Sequence, residues 1–354
     1  MAFLEFNNVR IAGMSAGVPC NKECNLDKEY SENYTPESFV ETTGVLERRF
    51  GNLTASDLCV PAAERLLSDL GWDKNEVDAL IFVSQYRDYY LPATSCIIQD
   101  RLNLNKECYA EDIVMGCSGW VYGLSSLCGL MSCGNIRKAL LMAGDAKRYV
   151  EINDPLFGHA GTVTALEYCL GEPSFQFHFG TDGSGFNAII IPDGGARNQV
   201  SLSSFDEEIL NGRSYNRLQT RMNGMDVFSF GISTAPKSIK MLSDHFSFDY
   251  LEADYFVFHQ ANMKMNNQII KKLRLPSEKV PSCMYHFGNT SSASIPLTIV
   301  TQLKGKFETT PTRFLCCGFG VGLSWGTVTF QTNGIVVSNL VEVSDEEVDK
   351  KYVV

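Results

Sequence analysis

Short runs of apolar residues, many of them β-branched, recur along the chain and alternate with segments of helical periodicity. Five of these runs are apolar enough for buried strands, and they cover residues 79–84, 139–143, 188–191, 255–258 and 313–317. Strands that are buried on both faces and alternate with helices are typical of α/β proteins. The pattern therefore predicts an α/β fold with helices packed on its sheets.

The same pattern contains a weak internal repeat. Residues 78–104 predict a strand followed by a helix, and residues 254–275 predict the same order. Each copy then leads to a corner of small residues, at 115–119 in the first and at 287–291 in the second. A duplicated α/β unit explains this similarity, and a chance similarity between two α/β segments is the alternative.

A duplication would divide the chain into two similar halves. No linker or low-complexity stretch separates them, so we expect the halves to share an extensive interface. The first half is placed at residues 1–172 and the second at residues 173–354. The acidic segment 342–351 predicts a solvated terminal helix or a frayed tail.

Composition and charge narrow the class of protein. The chain has 354 residues, of which 44% are hydrophobic and 20% are charged, and this balance suits a large core. Its net charge of −11 disfavours nucleic acid as a partner, because phosphate binding needs a basic surface. No apolar run is long enough to span a membrane, and the first residues do not resemble a signal peptide. A cytoplasmic protein is therefore expected.

The chain has twelve cysteines, but no Cys-x-x-Cys pair and no histidine at zinc-finger spacing. The sequence therefore predicts no metal site. In a reducing compartment most cysteines are small buried hydrophobic residues, so only the context of a cysteine can mark it as reactive.

Cys117 has such a context. It follows the extended residues 112–115 and precedes a helix that is rich in small residues. Unpaired N–H groups and the positive end of the helix dipole stabilise a thiolate at such a place, which predicts a lowered thiol pKa. A structural cysteine buried in a tight corner is the other interpretation.

Three further segments place polar or small residues beside predicted strands. His259 ends the strand at 255–258, where α/β sheets place their ligands, although a lone histidine is more often a hydrogen-bonded core residue. Asn289 follows a glycine and is by itself typical of a turn or a helix cap. The glycine-rich residues 318–322 offer backbone N–H groups to an oxyanion, or they form only a turn.

Four motifs occur together and in order. They are Cys117 in its corner of small residues, His-Gln-Ala-Asn at 259–262, Gly-Asn-Thr-Ser-Ser-Ala-Ser-Ile-Pro at 288–296 and Gly-Phe-Gly-Val-Gly-Leu-Ser-Trp-Gly at 318–326. In order and spacing, this combination closely resembles the β-ketoacyl-acyl-carrier-protein synthase III family. The resemblance covers roughly residues 3–330, and combined motifs of this kind are rarely coincidental.

The resemblance implies a five-layered αβαβα thiolase-like fold and a homodimer. It also implies that the Cys117 thiolate takes an acyl group from a thioester. His259 and Asn289 then bind the carbonyl of a malonyl unit on acyl carrier protein, and loss of carbon dioxide gives the attacking enolate. The backbone N–H groups implied for the acyl oxyanion belong to Cys117, Gly320, Val321 and Gly322. No cofactor is implied, because the substrates carry coenzyme A or phosphopantetheine.

The chain departs from better-known members of the family where substrates bind. Ser38 and Thr42 replace the Trp and Arg that sandwich the adenine of coenzyme A, so a carrier protein is expected to be the better acyl donor. Leu91 occupies an acyl-pocket position that is often aromatic. His159 replaces an acidic residue in a loop that is one residue shorter. The acyl chain and the pathway, whether fatty acid synthesis or a specialised one, stay open.

Lys264, Lys271 and Lys272 follow His259 on one predicted helix, and their spacing places them on a common face. On a chain of net charge −11 they form a local basic patch, which predicts a docking site for an acidic acyl carrier protein. A solvated helix face is the alternative interpretation.

Three other functions fit parts of the sequence. An acyltransferase on the same fold would move the acyl group from Cys117 to a hydroxyl or an amine, with His259 as general base. A dinucleotide-binding oxidoreductase is suggested by the glycines at 180–185, although they neither follow a first strand nor open a convincing helix. An inert partner subunit would have no need to keep Cys117, His259 and Asn289 together.

Overall fold

The computed structural model describes residues 1–28, 30, 35–148, 154–210, 213–348 and 350–353. Its strands, numbered in chain order, are β1 Ala2–Phe6, β2 Val9–Pro19, β3 Lys22–Cys24, β4 Glu47–Arg49, β5 Ala79–Val83, β6 Tyr109–Ile113, β7 Lys138–Asp145, β8 Ala160–Tyr168, β9 Phe175–Thr181, β10 Ile189–Ile190, β11 Glu208–Leu210, β12 Arg213–Tyr215, β13 Arg221–Met222, β14 Tyr255–Phe258, β15 Thr312–Gly320, β16 Ser324–Thr332, β17 Val336–Val337 and β18 Val341–Val343. Its α-helices are α1 Pro36–Thr43, α2 Ala55–Leu70, α3 Thr94–Leu102, α4 Gly119–Met131, α5 Gly224–Phe246, α6 Met263–Leu273, α7 Met284–Phe287 and α8 Ser294–Gln302.

Two large sheets share one pattern of strands. The first has the order β17-β2-β8-β7-β5-β6, with β18 also paired to β2, and the second has the order β1-β9-β16-β15-β14. In the first sheet β5 and β7 are parallel, whereas β8 is antiparallel to both β7 and β2. In the second sheet β14 and β15 are parallel, whereas β16 is antiparallel to both β15 and β9. A duplicated α/β unit produces such a correspondence.

Some strands at the edges of each sheet come from the opposite half of the chain. β1 pairs with β9 in the second sheet, and β17 and β18, from the C-terminal region, pair with β2 in the first sheet. The prediction of a solvated helix or frayed tail from residue 342 is wrong for the first residues of that segment. Glu342 lies in β18 and accepts a hydrogen bond from Arg49 at 2.7 Å. The boundary placed at residue 172 stays a prediction, since each sheet contains strands from both sides of it.

The layers follow from the alternation of side chains along buried strands. In β5, Ala79, Ile81 and Val83 belong to the core between the two sheets, whereas Leu80 and Phe82 belong to the core beneath α2 and α3. Successive side chains of a strand point to opposite faces, so a strand between two layers has to be apolar at every position. This is the type of run from which the sequence predicted β5.

Helices occupy three layers. α4 and α8 lie between the sheets, where Trp120 and Ile295 are each 1% exposed. α2 and α3 cover the outer face of the first sheet, and α5 and α6 cover the outer face of the second. The predicted five-layered αβαβα arrangement is therefore confirmed.

One predicted strand was wrong. Residues 188–191 were expected to form a buried strand, but only the two-residue β10 forms there, paired with β13 in a small separate sheet. Ile191 is 38% exposed, so the apolar run does not enter a core. Several apolar side chains in the surrounding segment are also exposed, namely those of Phe186, Leu202, Phe205, Ile209 and Met225.

Candidate active site

Cys117 lies at the corner between β6 and α4, and its side chain is half-buried. The end of β15 passes directly over it. A Cβ atom on Gly320 would lie 2.7 Å from Cys117 Sγ, and a Cβ atom on Gly318 would lie 2.8 Å from the Cys117 carbonyl oxygen. Only glycine permits so close an approach, so the glycines at 318 and 320 serve to bring this backbone against the thiol.

The thiol of Cys117 faces both donors and a negative charge. Burial raises the pKa of this thiol to about 11, and the nearby Asp145 carboxylate also raises it. Hydrogen bonds from Ser291 and from the backbone N–H groups of Val321 and of Cys117 itself act in the opposite direction. The lowered thiol pKa expected from the helix terminus is therefore wrong for the free protein, because burial outweighs the donors.

His259 follows β14 and is 2% exposed. Its backbone N–H donates to the Cys317 carbonyl at 2.9 Å, and its Nδ1 lies 2.8 Å from Ser294 Oγ. Burial lowers the pKa of the imidazole to about 3, which a hydrogen bond to the Ser291 backbone only partly opposes. The ring is therefore neutral near pH 7. When Ser294 donates to Nδ1, the ring hydrogen resides on Nε2, and the imidazole acts as a hydrogen-bond donor there.

Asn289 is 6% exposed and is fixed at both ends of its side chain. Its Oδ1 accepts from the Ser291 backbone N–H at 2.9 Å, and its Nδ2 donates to the Ala261 carbonyl at 3.3 Å. The backbone N–H of Asn289 also donates to the Leu156 carbonyl at 2.9 Å. An amide nitrogen has two hydrogens, so one N–H of Asn289 is left for a ligand.

Ser291 joins the three predicted catalytic residues. Its hydroxyl lies 3.9 Å from Cys117 Sγ, its backbone N–H binds Asn289, and its backbone hydrogen-bonds the ring of His259. The structure thus brings Cys117, His259 and Asn289 together around one serine. Sequence reasoning assigned no role to Ser291, because a serine between an asparagine and a helix is usually a local capping residue.

The three lysines of the predicted docking patch are all exposed on α6. Lys272 Nζ also donates to the Ile232 carbonyl at 3.0 Å, which ties its side chain to the neighbouring helix α5. α5 carries two further exposed lysines, Lys237 and Lys240, and Lys237 lies near His178 and the N-terminal residues.

The positions expected to bind the nucleotide of coenzyme A offer no flat surface. The Ser38 hydroxyl is bound in the capping box of α1 with Thr35, and Thr42 is exposed. Phe39 is only 4% exposed and stacks on Tyr30 inside the structure, so it is not available to an adenine. Tyr34, another aromatic residue of this region, lies outside the described residues.

Leu91 and His159, the other two positions at which the chain departs from the family, lie in different environments. Leu91 is 82% exposed and does not line a closed pocket within a single chain. His159 is 7% exposed, with its ring 4.3 Å from that of Phe50. Burial, with the nearby Arg48, lowers the pKa of His159 to about 4, so the ring is a neutral packing group near pH 7.

The glycines at 180–185 do not form a dinucleotide-binding turn. Gly180 lies within β9, and Gly183–Gly185 form a three-residue 3-10 turn in which Asp182 accepts from the Ser184 N–H at 3.1 Å. Within the described parts of the chain, no three or more His, Cys, Asp and Glu side chains come together in a way that could hold a metal ion. The same parts contain no helix with the length and apolarity needed to cross a membrane.

Five αβαβα layers, with a cysteine, a histidine and an asparagine gathered between the sheets, define the class of thiolase-fold enzymes. Two models of 3-oxoacyl-[acyl-carrier-protein (ACP)] synthase III match the chain, one at residues 111–183 and one for the C-terminal part at residues 248–332. A Syntrophomonas wolfei β-ketoacyl-[acyl-carrier-protein] synthase III is 30% identical and aligns over 90% of this chain and 96% of its own. The chain belongs to the β-ketoacyl-[acyl-carrier-protein] synthase III family.

Two further comparisons extend over nearly the whole chain. A putative 3-oxoacyl-[acyl-carrier-protein] synthase 3 from Campylobacter jejuni is 29% identical over 97% of this chain and 99% of its own. The crystal structure of a 3-oxoacyl-(acyl-carrier protein) synthase from Burkholderia xenovorans superposes with a TM-score of 0.88. It is 35% identical and covers 97% of this chain and 99% of the other. The thiolase-like fold is therefore confirmed.

Proposed function

We propose that this chain catalyses the decarboxylative condensation of an acyl group with malonyl-acyl carrier protein, through an acyl-Cys117 intermediate. One observation carries the proposal: the thiol of Cys117, the imidazole of His259 and the amide of Asn289 all contact Ser291. The condensation needs a nucleophile and two neutral donors at one place, and these residues supply them.

The first half-reaction transfers the acyl group to Cys117. The thiolate attacks the thioester carbonyl, and the oxygen of that carbonyl becomes negative. The backbone N–H groups of Cys117 and Val321, which bind the thiol in the free protein, are placed to donate to this oxygen. Collapse of the intermediate breaks the bond to the pantetheine sulfur and leaves the acyl group on Cys117.

The second half-reaction forms an enolate. The Nε2–H of His259 and the free N–H of Asn289 donate to the thioester carbonyl of the malonyl group, and this stabilises the negative charge that develops as carbon dioxide leaves. The enolate carbon then attacks the acyl-cysteine and yields a 3-oxoacyl thioester on the carrier protein. A neutral imidazole suits this role, because it donates a hydrogen bond without having to give up a proton.

The alternative of acyl transfer to a hydroxyl or an amine requires His259 as general base. An efficient base has a pKa near the working pH, whereas burial lowers that of His259 to about 3. The same imidazole is well suited to donate. The electrostatics of the site therefore favour condensation over acyl transfer without loss of carbon dioxide.

The proposal is tested by incubating the protein with an acyl thioester and malonyl-carrier protein labelled at the free carboxyl. We expect labelled carbon dioxide and a 3-oxoacyl carrier protein, detected by mass, in equal amounts. Acyl transfer to a hydroxyl or amine acceptor without carbon dioxide would favour the alternative function.

A homodimer accounts for the exposed apolar side chains near the predicted acyl pocket. Leu91 and Tyr90 are 82% and 65% exposed in the single chain. Tyr86, in the same loop, contacts Thr220 at 3.4 Å, which joins this loop to the segment of exposed apolar residues before α5. We place this surface against a second copy of the chain, which would cover Leu91 and complete the acyl pocket.

The cytoplasmic location also stays a prediction.

Carrier-protein docking is assigned to the basic face of α6. Charge reversal by Lys264→Glu or Lys271→Glu should slow acyl loading from carrier-bound substrate by about tenfold, because steering by charge acts on the association rate. Loading from a small thioester of the same acyl group should not change. The loading rates are measured by intact mass against time for both donors.

Lys106→Glu serves as the matched control for these variants. Lys106 is exposed in the first half of the chain and carries the same charge, so its reversal alters net charge without touching α6. Equal slowing by Lys106→Glu, or equal slowing with both donors, would remove the docking role of α6.

A further inference from the structure

Gln85 lies beside the catalytic corner, and the half-reactions described above make no use of its side chain. It is the second residue after β5 and is partly buried. A Cβ atom on Gly116 would lie 2.6 Å from Gln85 Cδ and 2.8 Å from both Nε2 and Oε1 of its amide. Only glycine leaves this space, so the residue before Cys117 allows the amide of Gln85 to lie against the corner.

The backbone of Gln85 is fixed independently of its side chain. Its backbone N–H donates to Asp145 Oδ1 at 2.8 Å. Asp145 ends β7 and is 6% exposed, and its other oxygen accepts from Ser292 Oγ at 3.1 Å. A substitution of the Gln85 side chain leaves the backbone contact in place, so its effect can be assigned to the amide.

The side-chain amide of Gln85 contacts the serine that touches the nucleophile. Gln85 Nε2 donates to Ser291 Oγ at 3.1 Å, and Ser291 Oγ lies 3.9 Å from Cys117 Sγ. A hydroxyl has two lone pairs and one hydrogen, whereas an amide nitrogen can only donate. Gln85 therefore occupies a lone pair of the hydroxyl and leaves its hydrogen for the sulfur.

We propose that Gln85 is a positioning residue, which holds the Ser291 hydroxyl with its hydrogen directed at Cys117 and so stabilises the thiolate. A hydrogen bond to a charged sulfur is stronger than one to a neutral thiol. Burial raises the pKa of the Cys117 thiol to about 11, and a donor to the thiolate acts against that effect. The inference rests on the proposed function for its use in acyl transfer, but thiolate formation can be measured without an acyl substrate.

The charged and titratable groups near the thiol act differently from Ser291. The Asp145 carboxylate raises the pKa of Cys117, and burial raises the pKa of Asp145 itself. Burial also raises the pKa of the Tyr86 phenol and lowers that of the neighbouring Lys147 ammonium, which lies 4.9 Å from the centre of the Tyr86 ring. Burial lowers the pKa of His259 to about 3, so its ring is neutral. The side chain that donates to the thiol is that of Ser291, and Gln85 acts through it.

The test is the rate of Cys117 alkylation by iodoacetamide, with the modified residue located by peptide mass spectrometry. Only the thiolate reacts, so between about pH 7 and 9 the rate follows the thiolate fraction. Gln85→Met keeps the length of the side chain and removes the donor, and it should slow alkylation about fivefold at each pH. Gln85→Glu would accept from Ser291 and turn its hydrogen away from the sulfur, so it should slow alkylation by about tenfold or more.

A double-mutant cycle separates positioning from packing. Ser291→Ala should slow alkylation about tenfold. Adding Gln85→Met to Ser291→Ala should change the rate by less than about twofold, because the amide then has no hydroxyl to hold.

Gln99→Met is the matched control for these variants. Gln99 is also partly buried in the first half of the chain, but its Nε2 donates to the Leu104 carbonyl at 2.6 Å. This variant should alkylate at the rate of the unmodified chain. Thermal unfolding shows whether each variant is folded, and Gln85→Glu, which has the same size as glutamine, takes the place of Gln85→Met in the cycle if the latter is not.

The proposal is overturned if a folded Gln85→Met alkylates at the unmodified rate. It is also overturned if this substitution slows the reaction equally with and without the Ser291 hydroxyl, because the glutamine would then act independently of the serine. The expected alkylation rates in a chain that releases no carbon dioxide from malonyl-carrier protein would support the positioning role and count against the proposed function alone.

Discussion

Replacing Cys117 with alanine is expected to abolish acyl-enzyme formation, with a fall in loading rate of at least about 10⁴-fold. The Cys117 sulfur is the atom that forms the thioester bond to the acyl group. The N–H donor at Val321 cannot substitute for a nucleophile. The methyl group of alanine fits where the half-buried thiol lay, so the free energy of unfolding should change by less than about 1 kcal/mol. Intact mass after incubation with an acyl thioester measures the loading.

Cys133→Ala provides the control for this experiment. Cys133 follows the C-terminal end of α4 and is exposed, so a thiol reagent can reach it although it does not lie at the catalytic corner. This variant should gain acyl mass at the normal rate. If Cys117→Ala still gained one acyl group per chain, another cysteine would be the nucleophile.

The variants His259→Ala and Asn289→Ala are expected to separate the two half-reactions. Both should still load the acyl group, because neither side chain is needed for attack by Cys117. Both should lose decarboxylation by about 100-fold or more, since each removes one donor to the enolate, worth about 3 kcal/mol. Release of labelled carbon dioxide from malonyl-carrier protein measures the second half-reaction, and intact mass measures the first.

Asn289→Asp is the more selective variant of this pair. An aspartate can still accept the hydrogen bond from the Ser291 backbone N–H, although it loses the donation to the Ala261 carbonyl, so it keeps one of the two side-chain contacts that alanine removes. It cannot donate to the malonyl carbonyl, and its negative charge opposes that of the enolate. Asn289→Asp should therefore load normally and release no more carbon dioxide than Asn289→Ala. Equal loss of both half-reactions in these variants would contradict the division of roles.

Much of the fold was predictable, because buried strands need apolar residues at every position. The runs that became β5, β7, β14 and β15 met this condition. The run at 188–191 also met it, but its residues Ile189 and Ile190 pair with β13 in a small separate sheet, and Ile191 is exposed at the surface. Apolar pattern alone does not tell these two settings apart.

Only the site residues that lie in recognisable sequence motifs could be predicted from the sequence. Cys117, His259 and Asn289 each lie at the end of a predicted strand or in a small-residue corner, and the resemblance to a family connected them. Ser291 and Asp145 were missed because their partners lie far away in the sequence. The thiol pKa was predicted in the wrong direction for a similar reason, since the sequence shows a helix terminus but not the burial and the carboxylate around it.

The crossing of edge strands has a consequence for how the chain acquires its structure during synthesis. β2 is an eleven-residue strand, almost completely buried, and its outer edge is covered by β17 and β18, which leave the ribosome more than three hundred residues later. Until then the first sheet has an open, apolar edge, which is the kind of surface that pairs with other chains. We therefore expect the first half of the nascent chain to remain open to pairing with other chains until the last strands close this edge.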